Sequence, residues 1–97
     1  MNSIHYTNDR KAREEVIKMI GTGKTIARFL VDRGHKNGLE RHEITDTGLI
    51  IIYNNRTNRM VTKLIARPSQ ITRYNWKAPK FLIDKAREHQ KLGYNLL

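Results

Sequence analysis

The sequence predicts a small α+β domain: an N-terminal helix, an antiparallel sheet of about four strands, and a C-terminal helix. Three observations predict it. Apolar residues fall at helical spacing near both ends, runs rich in β-branched residues fill the middle, and short turn signals separate those runs. A chain of 97 residues fits one domain, 1–97, and leaves little room for a second.

Residues 9–20, DRKAREEVIKMI, read as the first helix. Thr7 or Asn8 is placed to cap it, and Ala12, Val16, Met19 and Ile20 share one face. Gly21 and Gly23 stop it. The GTGKT that follows lacks the earlier glycine of a phosphate-binding loop, since position 18 is Lys, and no strand precedes it; a nucleotide-binding loop is rejected. Residues 24–32, KTIARFLVD, suit either period. Ile26, Phe29 and Leu30 fit a helix face, whereas Thr25, Ala27, Phe29 and Val31 fit one face of a strand. The β-branched content favours the strand. Three further β-rich runs, 41–45, 49–54 and 59–66, are joined by DTG and NRTN, which predicts a meander over 41–66. Ile50, Ile51 and Ile52 predict a central strand covered on both faces, and Pro68 ends the last strand. Residues 78–93 form the final helix, with Pro79 in its first turn, Gly93 at its C-terminal cap, and Leu82, Ile83, Ala86 and His89 or Gln90 inside.

Nineteen Lys and Arg stand against nine Asp and Glu, a net charge of +10. A field of that sign attracts polyanions, nucleic acid above all. The surplus is concentrated. Residues 47–83 hold Arg56, Arg59, Lys63, Arg67, Arg73, Lys77 and Lys80 and no acid. Tyr53, Tyr74 and Trp76 are interleaved with these cations, and flat rings stack on unpaired bases. Tyr53, Arg56, Arg59, Lys63, Arg67, Arg73, Tyr74, Trp76 and Lys77 are therefore the expected nucleic-acid contacts, with RNA favoured over DNA. The chain has no cysteine, which excludes disulfides and thiolate zinc sites. No apolar run reaches the ~20 residues that span a bilayer, and the N-terminus shows no signal peptide. A cytoplasmic protein with no membrane partner is expected.

Residues 32–43, DRGHKNGLERHE, hold eight ionisable groups and two glycines. His35 and His42 are seven apart, a spacing that matches no metal-ligand motif, and Arg33, Lys36 and Arg41 would repel a cation; neither a metal nor a cofactor is expected. Strand alternation places Glu40 and His42 on one face, and Arg41 and Glu43 on the other, so two cooperating carboxylates are not supported. Metal-independent cleavage of RNA does fit. It needs a base for the 2′-hydroxyl, an acid for the leaving 5′-oxygen, and cations beside the phosphate. Histidine fills either proton-transfer role. The stretch supplies two histidines, Glu40 and three cations, and the meander adds Lys63 and Arg67.

The segments GHKNGLERH, GLIIIYN and MVTKLIARPSQITRY resemble a pattern found in the superfamily of small metal-independent endoribonucleases that includes barnase, EndoU, tRNA-cutting colicins and RelE-like toxins, often from bacteria and their phages. The resemblance covers residues 24–74, the expected sheet. It implies N-terminal helical structure and a curved antiparallel sheet carrying the catalytic groups. By analogy of role, it implies His35 and His42 as the acid and base, to which the charged stretch itself adds Glu40. Lys36, Arg41 and Arg67 would stabilise the phosphate, and Thr62 or Tyr53 would orient the substrate. The C-terminal helix departs from that pattern.

The leading expectation is thus a toxin-like endoribonuclease, acting alone or restrained by an acidic antitoxin or another protein. The alternatives are a non-catalytic DNA- or RNA-binding module, such as a phage or prophage regulator, and a protein-interaction inhibitor.

Overall fold

Residues 10–34 and 38–94 are described by a computed structural model. They run α1 (Arg10–Ile20), β1 (Thr25–Asp32), β2 (Leu39–Thr45), β3 (Leu49–Asn54), β4 (Met60–Ile65), α2 (Pro68–Thr72) and α3 (Lys80–Lys91). The expected α+β order is present, and the four strands form one antiparallel sheet in chain order, β1-β2-β3-β4. Of residues 24–32, Thr25–Asp32 are strand, and burial along β1 alternates strictly. Ala27, Phe29 and Val31 turn inward, while Ile26, Arg28 and Leu30 stay exposed.

Two turns set the register of the meander. At the β2–β3 turn Gly48 N–H donates to Thr45 O at 3.1 Å, and Gly48 adopts φ +91°, which glycine accepts without a steric cost. At the β3–β4 turn the Asn54 side chain accepts from the backbone N–H groups of Arg56 and Thr57, and Asn58 takes the left-handed conformation at φ 61°. Asparagine tolerates that region because its short side chain bonds locally.

The sheet separates two apolar clusters. On one face Ile44, Ile50 and Ile52 meet Ile71 of α2 and Leu82 and Ala86 of α3. Leu82, Ala86 and His89 fall at i, i+4 and i+7, so one stripe of α3 is buried. Fully burying a leucine such as Leu82 is worth about 1.5–3 kcal/mol. On the other face Ile17 of α1 packs with Leu49 and Ile65, beside Val16, Ile20 and Tyr94. β3 lies between these layers, and Leu49, Ile50, Ile51 and Ile52 are all buried, as the unbroken apolar run predicts. α3 ends in a Schellman motif: Gly93 N–H bonds to Gln90 O, Tyr94 N–H bonds to His89 O, and Gly93 sits at φ 82°.

The structure corrects several boundaries. Met19, placed on the inner stripe of the first helix, is 75% exposed, while Ile17 is buried; the apolar stripe is rotated toward Ala12, Val16, Ile17 and Ile20. β2 begins at Leu39, two residues before the expected start. Gln90 is exposed and His89 takes the inner position. Residues 68–72 form a short helix that no helical period in the sequence announces. Pro68 occupies its first turn, and Gln70 Oε1 accepts from Arg67 N–H at 2.9 Å. His5, Thr7, Asn8, His35 and Lys36 lie outside the described residues.

Candidate active site

β2 projects two polar sets to opposite sides of the sheet. Glu40, His42 and Ile44 face α2 and α3, and Arg41 and Glu43 face the side of α1. This is the alternation expected from the sequence.

On the first side His42 is 1% exposed, so its ring nitrogens need partners from the protein. It has both. Nε2 lies 3.0 Å from Glu40 Oε1, and Nδ1 lies 2.7 Å from the Tyr74 hydroxyl. An ionised carboxylate only accepts, so in the neutral imidazole Nε2 carries the proton and Tyr74 O–H donates to Nδ1. The order Tyr74–His42–Glu40 is that of a nucleophile–histidine–carboxylate chain, with a phenol as the outermost member.

Each member is held from behind. Phe29 pairs with His42 across the β1–β2 ladder and stacks on Tyr74, with ring centroids 4.8 Å apart and planes 11° apart. Trp76 packs edge-on against Phe29 at 5.4 Å, and its indole N–H donates to Ile71 O at 2.6 Å. Asn75, at φ 58°, turns the segment between Tyr74 and Trp76. Two cations close the ends. Arg73 Nη2 is 3.4 Å from the Tyr74 hydroxyl, and Arg33 Nη1 is 3.9 Å from Glu40 Oε1. An open groove of about 570 Å³, lined by Phe29, Val31, Arg33, His42, Arg73, Tyr74 and their neighbours, runs past this chain along the edge of β1.

On the opposite side Glu43 accepts from Arg41 Nε at 2.8 Å, Thr25 Oγ1 at 2.9 Å and Arg28 Nε at 3.3 Å. Burial raises its pKa, but the bonds from Arg41, Thr25 and Arg28 and the charge of Arg28 outweigh burial and hold the carboxyl below its ordinary value. Arg41 also reaches Asn58 Oδ1 at 2.6 Å and lies over the Tyr53 ring at 4.5 Å. This network ties β1 and β2 to the β3–β4 turn.

The residues singled out from the sequence thus divide into groups. Glu40, His42, Tyr74 and Arg73 come together. Arg41 and Tyr53 share the far side of the sheet, where Lys63, paired with Ile51, also lies. Arg56 and Arg59 are exposed at the β3–β4 turn, and Lys77 is exposed after Trp76. Thr62 lies on the His42 side, two strands away, through Ile52. Arg67 precedes α2, and its Nε is buried without a hydrogen-bond partner among the described residues. Phe29 and Asn75 were not among the expected site residues, and Arg33 was expected only as one of the cations of the charged stretch. The alternation of Ala27, Phe29 and Val31 was the signal that could have found Phe29; Thr25, expected on the same face, turns to the Glu43 side because the β1–β2 register shifts between Thr25 and Ala27.

Among the described residues no three His, Cys, Asp or Glu side chains are grouped to hold a metal ion, and no helix is long and apolar enough to cross a membrane. No family model, curated protein or solved structure matches the chain.

Proposed function

We propose that this protein is a metal-independent endoribonuclease whose proton relay is Tyr74–His42–Glu40. The observation that carries the reading is the unbroken hydrogen-bonded chain from a half-buried phenol at the β1 groove to a carboxylate, with Arg73 beside the phenol. In the proposed step the substrate 2′-oxygen attacks the adjacent phosphorus. Its proton passes to Tyr74 Oη as the Tyr74 proton moves to His42 Nδ1. Glu40 stabilises the imidazolium that forms, and Arg73 neutralises charge gathering on the phosphate. The P–O5′ bond breaks and the 5′-oxygen takes a proton from solvent. The products are a 2′,3′-cyclic phosphate and a 5′-hydroxyl. The acid-free, cation-rich segment 47–83 supports RNA as the polyanion.

The test is incubation with labelled RNA in excess EDTA. Wild type should leave cyclic-phosphate ends, and Tyr74→Phe and His42→Gln should each lose about 10²–10⁴-fold in rate, with folding checked by fluorescence of Trp76, the single tryptophan. Full activity in Tyr74→Phe would remove the relay. A second reading, a non-catalytic RNA- or DNA-binding module, is favoured by the near-complete burial of His42 with both ring nitrogens engaged. Binding without cleavage would select it.

A further inference from the structure

We propose that the outer edge of β4, with the groove between it and α1, takes up an extended acidic segment of a partner protein as an added strand. β4 is the last strand in the sheet order, so among the described residues one side of its backbone pairs with no strand. Ala66 N–H donates to Gly48 O at 3.0 Å. In an alternating antiparallel ladder this turns the backbone groups of residues 66, 64 and 62 toward β3, and those of Lys63 toward the groove. The groove holds about 920 Å³ between β4 and α1. Its strand side carries Met60 and Val61, 54% and 56% exposed. Five Lys and Arg side chains line it, among them Arg13, Lys18 and Lys63, against two Glu, and one of those, Glu14, already lies 4.0 Å from Arg10.

These features select the occupant. Strand addition uses unpaired main-chain groups for affinity and alternate side chains for specificity. Met60 and Lys63 lie on the same face of the sheet, across the ladder from Tyr53 and Ile51, so the side chains that an added strand turns toward the groove would be acidic, meeting the cations with their heads and covering Met60 and Val61 with their stems. A second copy of this chain is disfavoured by its own charge of +10, and by the lysine and the register shift in the edge itself, two features that discourage self-pairing. A nucleic acid would meet the cations but leave the edge amides and the exposed apolar side chains unused. The site lies at the opposite edge of the sheet from the β1 groove, so it does not depend on the relay.

The probe is a synthetic twelve-residue peptide alternating valine and glutamate, titrated into isotope-labelled full-length chain. Saturable binding with slowed amide exchange at Lys63 is expected. Lys63→Pro deletes the outward N–H without touching the ladder to β3 and should weaken binding about tenfold, whereas Lys63→Thr should weaken it less. Arg13→Glu/Lys18→Glu, which leaves the strand intact, should weaken it by a similar factor. The proposal is overturned if the peptide does not bind saturably, if Lys63→Pro and Lys63→Thr behave alike, or if the slowed amides lie on β1. It is also overturned if a single-stranded oligonucleotide displaces the peptide from the groove without slowing exchange at Lys63, which would make this a nucleic-acid surface.

Discussion

Replacing Glu43 by glutamine removes one negative charge from a position where three donors converge. The Arg41 bond, at 2.8 Å between two side chains with little exposure, is the strongest of the three. The Arg28 bond contributes little, because that side chain is 66% exposed and exposed ion pairs are worth under about 1 kcal/mol. Glutamine keeps one acceptor oxygen for Thr25 but turns an amide N–H₂ toward the guanidinium groups. The expected loss at neutral pH is about 1–2 kcal/mol. For a chain of this size that is a fall in Tm of roughly 4–15 °C. The pH dependence is the sharper test. The folded carboxyl titrates below its ordinary value of 4.5. A depressed carboxyl contributes stability that is fully present above the unfolded pKa and lost as pH falls through the folded one. Chemical denaturation of both proteins across the acid range should give curves separated by a constant amount above 4.5, converging below it. Curves that stay parallel through that window would refute the account of Glu43, and equal stabilities at neutral pH would refute the estimate of its size.

Two further substitutions test the packing. Gly23 adopts φ +70°, and a Cβ there would overlap the Asp46 carboxylate that accepts from Lys24 N–H; a Cβ at Gly34, at φ +69°, would meet nothing within 4 Å among the described residues. Gly23→Ala should therefore cost about 2–3 kcal/mol and Gly34→Ala about 1–2 kcal/mol in thermal denaturation, and equal costs would discount the contact. Leu82→Ala opens a cavity at a residue with no exposed surface and should cost about 2–5 kcal/mol in a urea titration.

Local periodicity made much of this fold legible. The pairing of Glu40 with His42 could be read directly, because residues two apart on a strand share a face. The partner on the other side of the ring could not. Tyr74 lies 32 residues from His42, and only the packing of α2 and α3 brings its loop to the sheet. The short helix Pro68–Thr72 spans five residues, too few to express a period. Its signal was Pro68 followed by Gln70, a helix start hidden behind the stronger strand run. Met19 and Ile17 exchange roles for a related reason: a helix face read from four apolar residues shifts by a large angle if one of them belongs elsewhere.

The sheet order has a kinetic consequence. Each strand pairs with its neighbour in the chain, so the ladders close short loops and can form early. During synthesis Glu40 and His42 can therefore take up their places in β2 while Tyr74 and α3 are still unmade. The phenol is the last member of the hydrogen-bonded chain to arrive, delivered by a loop that must dock Phe29, Trp76 and Ile71 together. A nascent chain would hold a formed but unconnected histidine–carboxylate pair. Its completion would report that the whole chain, and not the sheet alone, had folded.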